Sequence, residues 1–341
     1  MRLWICWSIA LAPAAIVAAP LCPAGVNPGG RLTAQGMVEI EEWDVPWEGS
    51  RPRDPYVGSD GRVWFVGQTA DYLARLDPAD GSFERFDLEP GTGPHNLIVD
   101  HDGFVWYAGN RVAHIGRLDP ETGDIRKYPM PDPGARDPHT LVFDSRGTIW
   151  FSLQQSNMIG RLDPATGAVD LVAVPTANSR PYGIVVDADD RPWIVEFAGG
   201  KVATVDPVTL ELREYELART ETRPRRLVVT SDGGIWYVDY AGGFLGRLDR
   251  ETGAVSEVPL PGGASAQPYG MVVDEDDRIW LVETGVRPNR FVGYDTRTSE
   301  VIGQADIPSG AGSVRHMYYD ADRREVWFGT DANTLGRARL P

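Results

Sequence analysis

Two of the five histidines in this 341-residue chain sit in matching contexts, Pro94-His95 and Asp137-Pro138-His139. A neutral imidazole takes or gives a proton near neutral pH. Two of them brought to one substrate can therefore divide the work, one acting as base and the other as acid. Asp137 can orient His139 or hold a hard cation through its carboxylate. His316 stands one residue out of this register beside Arg315, where it can face the same space, whereas His101 and His114 read as turn and strand-surface residues.

The same position, one residue after a proline, recurs along the chain as Arg53, His95, His139, Tyr182, Arg225, Tyr269 and Arg315, with Val314 replacing the last proline. These side chains abut otherwise apolar runs, so water or a ligand must satisfy them. A second series, three residues after a repeated tryptophan, reads Gly67, Gly109, Leu153, Glu196, Asp239, Glu283 and Thr330. Together the two series describe either a hydrated channel edged by ion pairs such as Arg225 with Asp239, or the mouth of a pocket for a polar ligand. In the second case Arg53, Tyr182, Arg225, Tyr269, Arg315 and His95 bind the ligand, with arginine forks offering paired donors to carboxylate or amide groups.

The elements that must place these residues follow from the tryptophans. Trp64, Trp106, Trp150, Trp193, Trp236, Trp280 and Trp327 recur with a period of roughly 40 to 50 residues, the period of a propeller blade. Each lies in a short β-rich run such as Val105-Trp106-Tyr107, behind an Asp/Gly turn and an apolar run such as Leu97-Ile98-Val99. Downstream come a run such as Ile115-Gly116-Arg117-Leu118, a turn such as Asp119-Pro120-Glu121-Thr122-Gly123, and a fourth run, Ile125-Arg126-Lys127-Tyr128. Seven units of four strands predict an all-β, seven-bladed β-propeller over 25–341. Its last unit lacks an outer strand, which Val38–Asp44 supplies by pairing across the ends of the chain. The tryptophans are blade-packing core, since a binding platform does not need one in every unit.

Composition limits the partners. There are 33 basic and 49 acidic side chains, a formal charge of -16, which argues against an electrostatic grip on nucleic acid or anionic lipid. The first residues form an export signal with an apolar run from Leu3 to Ala12, cut after Ala19 or Ala24. The mature chain is then secreted or periplasmic, monomeric and without a membrane span. Cys6 leaves with the signal, so Cys22 has no partner and no internal disulfide forms.

Units such as Arg180-Pro181-Tyr182-Gly183-Ile184 and Gln267-Pro268-Tyr269-Gly270-Met271, each followed by an aspartate turn and the tryptophan strand, resemble the virginiamycin B lyase (streptogramin lyase) family across the mature chain. The resemblance implies the same seven-bladed ring. It also implies eliminative, Mg-assisted opening of a cyclic depsipeptide ester, with no water added. Carried onto the two Pro-His units, it makes His139 the acid/base residue, His95 a substrate contact or partner acid, and Asp137 a metal ligand, with Gln154 where a second acidic ligand is expected. The family's pair lies near the end of the chain, whereas His95 and His139 lie in the second and third units. Two other classes fit the repeat: a binding or scaffold propeller without chemistry, and a metal-dependent lactone hydrolase using Glu196, Asp239 and Glu283.

Overall fold

The computed structural model describes residues 38–341. The expected export signal at 1–24, its two cleavage points and both cysteines lie outside the described residues. Within them, 28 strands form seven four-stranded antiparallel sheets, each built from strands consecutive in sequence except the last. The sheets are the blades of a ring, with inner strands Pro52–Val57, Pro94–Val99, Pro138–Phe143, Pro181–Val186, Pro224–Val229, Pro268–Val273 and Val314–Asp320 around the axis. No helix among the described residues is long and apolar enough to cross a membrane.

The last blade closes the ring as the sequence predicts. Glu39–Asp44 pairs antiparallel with Thr334–Arg339, from Glu39 opposite Arg339 to Asp44 opposite Thr334. Trp43 stacks on Trp327 at 5.4 Å between ring centroids. Glu42, buried in the closing strand, accepts hydrogen bonds from Ser309 Oγ and Thr334 Oγ1, both at 2.7 Å. Both partners lie far along the chain, so the closure is a tertiary bond that holds the two ends in one sheet.

The seven tryptophans are buried blade core, none more than 8 % exposed. The indole N–H groups of five of them, Trp106, Trp150, Trp193, Trp236 and Trp280, also find partners. Trp106, Trp193 and Trp280 donate to Asp100, Asp187 and Asp274 at 2.8, 2.8 and 2.9 Å, so the aspartate that opens each turn also satisfies the polar edge of the ring that fills the blade. In the fifth blade Thr230 takes that role for Trp236 at 3.2 Å. In the outer turns Asp119 accepts from the Glu121 N–H at 2.9 Å, and Gly123 adopts φ 78°, a left-handed conformation that glycine tolerates without steric cost.

One irregularity positions the site. In all seven blades the pairing between the inner strand and the tryptophan strand slips just after the first residues of the inner strand, as between Pro94 and Leu97 or Pro138 and Leu141. A bulge breaks the alternation of side chains and re-aims them. Two consecutive residues per blade can thereby crowd the axis, giving two stacked rings instead of one.

Candidate functional site

The upper ring is the predicted series. Arg53, His95, His139, Tyr182 and Tyr269 are buried, and Arg225 and Arg315 are half-buried. His95 and His139 meet with ring centroids 3.7 Å apart and planes tilted by 36°, and Tyr182 follows His139 at 4.2 Å. The Tyr182 and Tyr269 hydroxyls hydrogen-bond each other across the axis. Arg225 lies in an aromatic cage, 3.7 Å from the centroid of Phe197, 4.5 Å from Tyr240 and 4.7 Å from Tyr269. Arg315 is drawn aside to Asp331 at 2.6 Å.

Beneath it lies a second tier: Asp54, Asn96, Thr140, Arg226 and His316, with Gly183 and Gly270 completing the register. Arg226 crosses the ring. From the fifth blade it donates to Thr140 Oγ1 of the third at 3.1 Å and to the Arg315 carbonyl of the seventh at 3.0 Å, and it stands 3.6 Å from Asp54 of the first. Gly183 leaves room for it: a Cβ there would lie 2.7 Å from the Arg225 carbonyl and 3.2 Å from Arg226 Cδ. Asn96 donates to Asp54 Oδ2 at 3.0 Å and accepts from the Leu141 N–H at 2.8 Å, joining blades 1, 2 and 3. The sequence signal for this tier was a second polar residue after the proline in four of the units, as in Pro52-Arg53-Asp54 and Pro138-His139-Thr140.

The electrostatics follow from burial and the arginines. Burial raises the cost of a carboxylate at Asp54, but Arg53, His316 and Arg226, with the Asn96 hydrogen bond, outweigh it and hold its pKa at about 2. His95 and His139 are pushed well below the usual histidine range, first by burial and then by Arg53 and Arg226. His316 is lowered to about 3 by burial and Arg226. All three imidazoles are neutral at physiological pH. Burial would raise the Tyr182 hydroxyl, yet Arg53, Arg226 and Arg225 together hold it below the ordinary tyrosine value.

Hydrogen bonding fixes the tautomers. Arg53 Nη1 lies 3.0 Å from His95 Nε2; guanidinium can only donate, so Nε2 accepts and the His95 proton sits on Nδ1. Thr140 Oγ1 accepts from Arg226 and keeps a proton that it can give to His139 Nδ1 at 2.9 Å, the arrangement that places the His139 proton on Nε2. In this arrangement each imidazole has its accepting nitrogen engaged, and the His95 N–H lies beside the His139 backbone.

Several predicted partners are employed otherwise. Asp137 does not orient His139: its carboxylate accepts the Gln155 N–H at 2.5 Å and the Ser156 hydroxyl at 2.8 Å, bracing its own loop at φ 60°. Gln154 is half-buried in that same connection. Mg²⁺ keeps several waters and is held through one or two carboxylates; Asp137 is spent on its own loop, Gln154 brings no charge, and no group of three or more His, Cys, Asp or Glu gathers among the described residues. Asp137 and Gln154, the two residues expected to hold it, do not fit a Mg²⁺ site. The three rim carboxylates are also separate: Asp239 pairs with Arg219 at 2.6 Å rather than with Arg225, Glu283 accepts the Gly262 N–H at 2.7 Å, and Glu196 is buried in the fourth blade. His114 is buried rather than on the strand surface, 3.3 Å from the Tyr107 hydroxyl, while His101 is exposed in its turn.

With this geometry in place, the chain can be set beside known proteins. The model of the virginiamycin B lyase family matches residues 22–287. No curated protein sequence matches. Among solved structures, virginiamycin B lyase from Staphylococcus aureus is 22% identical over 89% of this chain and 100% of its own, with a TM-score of 0.80. A streptogramin B lyase is 25% identical over 89% and 98%, with the same TM-score. A catalytically inactive histidine-to-alanine variant of the S. aureus enzyme with quinupristin is 21% identical over 89% and 100%, again at 0.80. The structural likeness establishes the shared seven-bladed ring, and the family match over most of the chain settles its membership: this chain belongs to the virginiamycin B lyase family.

Proposed function

We propose that this chain binds a carbonyl-rich cyclic compound of the streptogramin B kind at its axial mouth and opens an ester in it by elimination. The observation that carries the reading is the neutral His95–His139 pair, in contact at 3.7 Å between ring centroids and backed by Arg53. In an ester elimination a base removes a C–H proton, the electron pair forms C=C, and the adjacent C–O bond breaks to release a carboxylate. Arg53 and the His95 N–H offer donors to that carboxylate as its charge develops. His139 accepts the proton at Nδ1 once the Thr140 hydroxyl turns away, and the positive field of Arg226 favours returning it. No step is routed through a metal. Export to the periplasm or the exterior and a monomeric state belong to the same reading.

A second reading, a binding propeller without turnover, is favoured by the engaged accepting nitrogens of both imidazoles. One experiment separates them. Purified protein is incubated with a streptogramin B, with Mg²⁺ in one arm and a chelator in the other, and the product is weighed by mass spectrometry. A linear product of unchanged mass that disappears in His139→Ala supports elimination, and the two arms report whether a metal takes part. A gain of one water means hydrolysis. Saturable binding with no product leaves the binding reading.

A further inference from the structure

The axis carries more positive charge and more hydrogen-bond donors than its own residues can use. Three guanidinium groups, Arg53, Arg225 and Arg226, face one carboxylate, Asp54; Arg315 is already paired with Asp331. Asp54 Oδ1 lies 3.4 Å from Arg53 Nε and Oδ2 lies 3.6 Å from Arg226 Nη2, so one carboxylate is shared between two buried cations. No hydrogen bond of ordinary geometry among the described residues reaches the buried Arg53 Nη2, Arg225 Nε, Arg226 Nη2 or His95 Nδ1; Arg53 has the Tyr182 hydroxyl beside it and His95 the His139 backbone, so Arg225 Nε and Arg226 Nη2 are the donors left over. On the acceptor side Asp54 Oδ1 answers to Arg53 Nε, and His316 Nδ1 is the other axial atom without a partner among the described residues.

Buried donors and charges are costly unless they are paired. The surrounding chain does not supply the missing charge: the rim carboxylates of Asp239 and Glu283 are held by Arg219 and by the Gly262 N–H with Arg290. The field of a chain with a formal charge of -16 does not attract anions either. A ligand that answers this donor set is negatively charged, small enough to lie among the inner strands, and able to accept several hydrogen bonds at once.

We infer that this cluster of axial donors is a binding site for a small oxyanion, a carboxylate group above all, held by Arg53 and Arg225 with the His95 N–H. A planar carboxylate matches the guanidinium fork with two acceptor oxygens, and the charge-assisted bonds it makes are the stronger kind. The Tyr182–Tyr269 hydroxyl pair borders the same space, with Arg225 Nη1 3.4 Å from the Tyr269 hydroxyl. Arg225, half-buried in its aromatic cage, is the side chain closest to solvent in this set and forms the entrance. This goes beyond the lyase reading, because holding an anion requires no turnover.

The test follows arginine Nε–H resonances of the full chain by ¹⁵N NMR while acetate, and separately inorganic phosphate, is added at constant ionic strength. The expected result is a saturable shift of the Arg53 and Arg225 signals with acetate. Affinity should fall by about tenfold or more in Arg225→Met, the loss expected of a charge-assisted bond, and stay unchanged in Arg223→Met on the neighbouring rim. Saturation by both anions also supports the site and widens it to oxyanions in general; saturation by phosphate alone overturns the carboxylate assignment. Linear, non-saturating shifts with both, or unchanged affinity in Arg225→Met, overturn the proposal. Arg225→Met is the primary variant because it leaves the Arg53–Asp54 pair in place. None of these outcomes depends on the streptogramin assay.

Discussion

Arg53 donates from Nη1 to His95 Nε2 at 3.0 Å, and this single bond decides what His95 can do. The accepting nitrogen is consumed by a group that never gives up its charge, so His95 presents a donor to the channel and cannot act as a base there. The ¹⁵N spectrum of the imidazoles checks this directly: His95 is expected as the Nδ1–H tautomer across the neutral range. In Arg53→Met, with the donor gone, the ring should show mixed tautomers or the alternative one. A wild-type ring protonated at Nε2 would contradict the assignment.

Asp54 is the keystone of the lower tier, and its loss should be severe. It neutralises parts of two buried arginines and accepts the Asn96 hydrogen bond. Removing one partner of a buried charge cluster typically costs about 3–5 kcal/mol, and Asp54→Asn is expected to fall in that range by denaturant unfolding. The double variant Asp54→Asn/Arg226→Met removes a cation as well and should recover part of the loss. The sign of the pH effect follows from its depressed pKa. Stability from Asp54 is present above the ordinary value of 3.8 and is lost as pH falls from there toward about 2.

Most of the fold was legible because it is repeated. Seven phased tryptophans, each with its turn aspartate or threonine, state the blade seven times, and the unpaired Val38–Asp44 segment announces how the ring closes. The upper ring was legible for the same reason, being fixed by the proline that opens each inner strand. The lower tier was not, because strand alternation places consecutive residues on opposite faces, and only the bulge in each inner strand brings Asp54 and Thr140 to the axis beside Arg53 and His139. Asp137 misled for a local reason: the sequence places its carboxylate next to His139, but its left-handed backbone turns it toward the N–H groups of Gln155 and Ser156. Arg225 misled through chemistry, since an aromatic cage, which no single-residue register reveals, holds it in place of Asp239.

Three neutral histidines, two buried and one half-buried, should shape the acid limb of the stability curve. His95, His139 and His316 have folded-state pKa values depressed by burial and by neighbouring arginines, His316 to about 3. In the unfolded chain they titrate near 6.5. Below that pH the unfolded state therefore binds more protons, and stability falls as pH drops from about 6.5 toward the folded-state values. Each such group contributes a slope of about 1.4 kcal/mol per pH unit within the window. His316→Asn should remove one group's share between pH 6 and 4, measured as ΔG of unfolding against pH. An unchanged slope would show that His316 already carries its proton in the folded state.

Glu196 should act in the opposite direction. Its side chain is fully buried, and no hydrogen bond of ordinary geometry reaches either carboxylate oxygen among the described residues. The nearby cation, Lys201, is taken by Glu214 and Glu216, each at 2.9 Å. Burial first, and then the Glu214 carboxylate, push the Glu196 pKa up to about 8 from an ordinary 4.5. Between those values the folded state holds a proton that the unfolded chain has released, so stability declines as pH rises through the window. Glu196→Gln keeps the shape of the protonated acid and cannot ionise. It is expected to match the wild type near pH 5 and to exceed it by about 1–3 kcal/mol above pH 8, the cost of an unsatisfied buried group. Parallel stability curves for the two proteins from pH 5 to 9 would mean that Glu196 is ionised and compensated throughout.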